Sequence, residues 1–149
     1  MTEAQELGVI ARTYEDGFPV IFKLVDELPD EKTRSALPWL AVIAWEYDGA
    51  NNNGMPSEKV LEQMKALENA VGMTLAASGS CHHAYSRTGN GLKVLTYYVA
   101  DQDQFMEGLN SALDDHPRYP IEIDFYDDAD WGVFQKLLMN VRKGEDNNA

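Results

Sequence analysis

The residues best suited to chemistry in this chain are Cys81, His82 and His83, since thiolate and imidazole are good ligands for zinc or copper. Their spacing works against a shared site. Adjacent residues on a strand point to opposite faces, so only Cys81 and His83 can converge, and His116 is the one further histidine. A strand cluster satisfied within the fold accounts for the triplet, and no metal or other cofactor is expected. A second candidate is the run Asp124-Phe125-Tyr126-Asp127-Asp128-Ala129-Asp130-Trp131, whose carboxylates are of the kind that magnesium and calcium prefer. It has neither the central glycine nor the terminal glutamate of a calcium loop, and a strand end, a turn and an acidic helix start explain most of it. For nucleophilic catalysis the available pair is Cys81 with a histidine, with no activating spacing. Gly49, Gly54, Gly89 and Gly91 fall in turns and form no phosphate-cradling pattern. No catalytic residue is assigned, which favours a non-enzymatic protein.

What the chain does carry is charge. Twelve basic residues against 25 acidic ones give a formal charge of -13, which repels nucleic acid and anionic membranes. Between Asp101 and Asp130 there are ten acids and one base, Arg118, so nine of the thirteen excess charges lie in that stretch. Such a run is either a solvated face or a docking surface for a basic partner. Tyr126 and Trp131 lie beside it, and aromatics are enriched at binding hot spots. The candidate protein-binding residues are therefore Asp114, Asp115, Asp124, Tyr126, Asp127, Asp128, Asp130 and Trp131.

These residues need a scaffold, and 149 residues suit one domain with one core. The longest apolar run, Leu37 to Trp45, is about half the ~20 residues of a membrane-spanning helix. The start, Met1-Thr2-Glu3-Ala4-Gln5-Glu6, is acidic where a signal peptide is basic, so a cytoplasmic location is expected. Cys81 is the only cysteine, which leaves stability to packing.

Residues 1–38 read as an N-terminal hairpin and connector: Val9 to Tyr14 and Pro19 to Val25 flank an Asp16-Gly17 turn, and Asp30 can cap a short helical turn over Glu31 to Ser35. Residues 39–126 read as a βαββαβ core. Trp39 to Tyr47 is apolar at nearly every position, as in a strand buried on both faces. Ser57 caps a helix with a stripe of Val60, Leu61, Met64, Leu67, Val71 and Leu75, stopped by Ser78-Gly79. Ser80 to Ser86 and Leu92 to Val99 flank an Asn90-Gly91 hairpin signal; the former, mixed and polar, is placed at an edge and the latter centrally. Asp101 caps a helix with Phe105, Met106, Leu109 and Leu113 buried, ending near His116-Pro117. Ile121, Ile123 and Phe125 alternate with Glu122, Asp124 and Tyr126, as in an edge strand wet on one face. Residues 127–143 read as a C-terminal helix capped by Asp130, with Trp131, Phe134, Leu137, Leu138 and Val141 on one side, and residues 144–149 as a fraying tail. The fold class is α+β: a ferredoxin-like antiparallel sheet with two packed helices, plus the hairpin and the last helix.

The Trp39 to Tyr47 strand, Gly54-Met55-Pro56, the Leu61 to Leu67 helix, the Thr88-Gly89-Asn90-Gly91 turn into Tyr97-Tyr98, and Asp127 to Trp131 together resemble the bacterial domain of unknown function 695 family. Proteins of that kind are similar in architecture, and sometimes joined in one chain, to the regulator of ribonuclease E activity B, an acidic inhibitor. The resemblance implies a regulatory or inhibitory protein, a ribonuclease regulator among the options. The alternatives are an immunity protein that neutralises a toxin, and a small-molecule binder or enzyme with a pocket between hairpin and core. The expected partner is a protein with a basic surface, and an exposed sheet edge also allows a homodimer by strand pairing.

Overall fold

The computed structural model describes residues 9–147, apart from residues 26, 76–78 and 80. Two hairpins set its framework. β1 (Val9–Glu15) and β2 (Phe18–Leu24) are joined by Asp16 and Gly17 at φ +52° and +84°; β4 (Cys81–Gly89) and β5 (Leu92–Val99) are joined by Asn90 and Gly91 at φ +49° and +79°. Positive φ at both central residues is the turn whose twist matches that of the strands it joins, so Asp-Gly and Asn-Gly encode both hairpins locally. β3 (Trp39–Glu46) and β6 (Ile121–Asp127) complete one six-stranded sheet in the order β1-β2-β4-β5-β3-β6, antiparallel throughout.

Helices cover both faces. α2 (Glu58–Thr74) and α3 (Gln102–Ala112) lie on one side, where Met64, Leu67, Val71, Phe105 and Leu109 meet Ala41, Ile43 and Trp45 of β3 and Leu95, Tyr97 and Val99 of β5. Gly108 lets α3 close on α2: a Cβ there would collide with the Leu75 side chain. On the other side α4 (Gly132–Asn147) packs Trp131, Phe134 and Leu138 against Leu40, Tyr98, Ala84 and Leu24. This double cover is why β3 and β5 are apolar at consecutive positions instead of alternating. The helix starts follow the sequence signals: Asp30 Oδ1 accepts from Thr33 N–H at 2.8 Å to begin α1 (Glu31–Ala36), Ser57 Oγ accepts from Val60 N–H at 3.3 Å, and Asp101 Oδ1 accepts from Gln104 N–H at 2.8 Å.

Four expectations need correction. β4 is not an edge strand, because β2 pairs with it from Val20·Gly89 to Leu24·Tyr85. The hairpin therefore extends the sheet, and Arg87 locks it there: its guanidinium donates to Glu15 at 2.7 Å and to the Gly89 and Leu92 carbonyls at 3.0 and 2.9 Å. Gly89, at φ +153°, is the close point of that junction, since a Cβ there would run into the Pro19 carbonyl. The second correction is that α3 ends at Ala112, ahead of His116-Pro117. Third, α4 is capped by Asp128 in place of Asp130. Fourth, α4 continues through residue 147, so much of the expected tail is helical. Residues 1–6, Ser78, Ser80, and residues 148 and 149 of the tail lie outside the described residues.

Candidate functional site

The eight acidic and aromatic residues singled out by sequence divide into three sets. Asp124, Tyr126 and Asp127 sit on β6, the sheet edge, with all three side chains exposed and Tyr126 at 54%. Alternation places Asp124 and Tyr126 on one face together with exposed Glu122, while Ile121, Ile123 and Phe125 turn into the α2–α3 core. Exposed Asp130 follows just beyond the strand, and Val133 on the first turn of α4 is 44% exposed. The same alternation turns Asp127 to the opposite face, so β6 is an acidic rim with carboxylates on both sides and Tyr126 exposed on one of them. Asp114 and Asp115, also exposed, lie in the connection from α3 to β6, which enters the strand at Ile121, the end opposite Asp127. They are a second set, in the same connection as Arg118.

Trp131, buried, and Asp128, half-buried, are taken up by contacts within the fold. Trp131 is fully buried, its ring stacked on Tyr98 at 4.0 Å and 7°, and its Nε1–H donates to the Leu37 carbonyl at 2.9 Å. Asp128 accepts from the Gly132 and Val133 N–H groups at 2.9 and 3.1 Å and from the Tyr98 hydroxyl at 2.6 Å. The backbone at Trp131 is left-handed, φ +57°, which brings the helix start round onto the carboxylate of Asp128. A negative charge at a helix N-terminus is favourable, and here it is satisfied threefold. That leaves Asp128 little capacity for a partner. The Asp128–Gly132 spacing was a readable hint of this cap; nothing in the sequence connects Tyr98 or Leu37 to it, and nothing singled out Val133.

The Cys81-His82-His83 triplet separates as its parity requires. His82 faces Trp131 at 5.3 Å between ring centroids, whereas His83 stacks on Tyr97 at 4.4 Å on the opposite side of the sheet. Burial pushes the His83 imidazole down to about 4, with Lys93 and His82 adding to that and Glu68 opposing it. Burial alone pushes the Cys81 thiol up to about 12, which leaves it a poor nucleophile. Glu68 of α2 is occupied by Lys93 of β5 at 3.1 Å. Among the described residues no three His, Cys, Asp or Glu side chains gather to hold a metal ion, and no helix is long and apolar enough to cross a membrane.

A six-stranded antiparallel sheet with helices on both faces and an acidic rim along one edge defines a small α+β protein. Residues 10–139 match the Family of unknown function (DUF695), and the chain belongs to that family. No curated protein and no solved structure matches it.

Proposed function

We propose that this chain is a non-enzymatic, cytoplasmic regulatory or inhibitory protein that docks on a basic protein surface through the rim formed by Glu122, Asp124, Tyr126, Asp127 and Asp130, a ribonuclease being one candidate target. The observation that supports this reading most is Tyr126: a large aromatic ring, 54% exposed, held on the edge strand on the same face as the exposed carboxylates of Glu122 and Asp124. Exposed acids alone are adequately explained by solubility, but an exposed tyrosine among them offers the apolar anchor around which charged rims are arranged in protein interfaces. On the same reading residues 39–126 are a ferredoxin-like unit. The order β4-β5-β3-β6, with α2 and α3 on one face, supports that topology, and the hairpin and α4 are additions to it.

The test is affinity capture from cytoplasmic extract at low and high salt with the wild type and with the Asp124→Lys/Asp127→Lys double variant. Asp128 and Trp131 are left intact because they hold α4. Exposed charges are screened within ~8 Å at physiological ionic strength, so a specific partner should be lost at high salt and with the charge reversal. A partner retained under both conditions would remove the rim from consideration.

A further inference from the structure

The two edges of the sheet are protected very differently. β6 carries Glu122, Asp124 and Asp127 and is preceded by Pro120, devices that discourage another strand from adding. β1, the opposite edge among the described residues, has no proline and no bulge, and its charges are a single arginine, Arg12, and Glu15 at its end: its register with β2 is unbroken from Val9·Leu24 to Glu15·Phe18. It also exposes two large apolar side chains, Ile10 at 68% and Tyr14 at 63%, on one face and symmetric about Arg12. The two-residue turn makes Glu15·Phe18 a hydrogen-bonded pair; pairs alternate, so Val9, Ala11 and Thr13 bond to β2 while the N–H and C=O groups of Ile10, Arg12 and Tyr14 aim away from the sheet.

We propose that β1 is a self-pairing edge: a second copy of this chain adds its own β1 antiparallel, about a twofold axis through Arg12, extending the sheet across the dimer. That axis sets Ile10 of each copy opposite Tyr14 of the other, an aliphatic–aromatic cross-strand pair made twice, and matches every outward backbone group with a complementary one. The one unfavourable contact is Arg12 facing its own copy, at the solvent surface. Charge favours this edge over any other for self-association. Over residues 9–24, Arg12 and Lys23 balance Glu15 and Asp16, whereas the acidic rim on β6 lies five strand spacings away, about 24 Å and well beyond the ~8 Å screening length. Two chains of charge -13 can therefore meet here with their acidic rims at the far ends.

Sedimentation velocity on the full chain from 1 to 200 µM at physiological salt tests this, with a concentration-dependent dimer expected. Arg12→Pro removes an outward N–H without costing a bond to β2 and should give a folded monomer, checked by circular dichroism. Should that variant fail to fold, Ile10→Asp/Tyr14→Asp, which alters exposed positions only, should give the same monomer. Arg12→Cys should be joined across the axis by a short bifunctional thiol cross-linker, because hydrogen-bonded antiparallel partners have Cα atoms ~5.5 Å apart, too far at Cβ for an unstrained disulfide, and the native Cys81 is buried. A wild type that stays monomeric to 200 µM, a dimer that survives the folded edge variants, or a dimer that Arg12→Cys does not cross-link would each overturn the proposal.

Discussion

Tyr97 and Tyr98 are neighbours on β5, exposed to 1% and 0%, and each lies against a ring from elsewhere in the chain, yet their hydroxyls have opposite fates. Tyr98 faces α4. Its hydroxyl donates to Asp128 and accepts from the Phe134 N–H at 3.3 Å, so one oxygen ties the strand to a helix start. Tyr97 faces α2 and α3 beside His83, and among the described residues neither its hydroxyl nor the His83 Nε2 has a hydrogen-bond partner. Burial pushes both hydroxyls well above their ordinary ionisation range, so both remain protonated. One polar atom on the α4 side builds structure, and its counterpart on the α2 side is a cost the apolar packing must outweigh.

The strongest way to break this contrast is at Trp131, the ring on which Tyr98 stacks. Trp131→Ala removes a fully buried indole, the stacking and the bond to Leu37, and should destabilise by about 3–5 kcal/mol in urea titration. A loss below about 1 kcal/mol would show that α4 is not anchored there. Acid reaches the other face. His83 is neutral in the native state down to about 4, whereas an unfolded histidine takes up a proton near its ordinary 6.5. The unfolded chain therefore binds more protons between those values. Stability is fully present above pH 6.5, falls as pH drops to about 4, and loses up to about 3 kcal/mol from this group. His82, also shifted down by burial, adds a loss of the same sign. Urea midpoints at pH 7, 5.5 and 4.5 should fall less steeply for His83→Gln than for the wild type; identical slopes would mean that His83 is not sealed.

How much of this was legible follows the range of the interaction. Asp16-Gly17, Asn90-Gly91, Ser57 and Asp101 act on residues within four positions, and the structure uses them as read. The consecutive apolar residues of β3 and β5 announced a sheet covered on both faces. The place of the hairpin was not legible, because it depends on β2 pairing with β4, from Val20·Gly89 to Leu24·Tyr85, across more than 60 residues of chain. The same holds for the site. The acidity of β6 and its wet face are plain from alternation, and the apolar stripe sets Trp131 beside Phe134 and Leu138; the pairing of Asp128 with Tyr98 and of Trp131 with Leu37 is not legible, since those groups are 30 and 94 residues distant.

The finest test of the contrast is to delete one oxygen from each tyrosine. Tyr98→Phe leaves the ring on Trp131 but strips Asp128 of a donor and the Phe134 N–H of an acceptor in the interior, and a buried group left unpaired costs about 1–3 kcal/mol. Tyr97→Phe leaves the stack on His83 and the packing against Phe105, and removes a hydroxyl that had nothing to bond. Its change should lie within about 0.5 kcal/mol of zero or be stabilising, because the desolvation of that oxygen is no longer required. Two substitutions of identical chemistry at adjacent positions should therefore differ in sign or in size by more than the error of a urea titration. Equal losses from both would mean that the Tyr97 hydroxyl is satisfied, and the asymmetry between the two faces of the sheet would disappear.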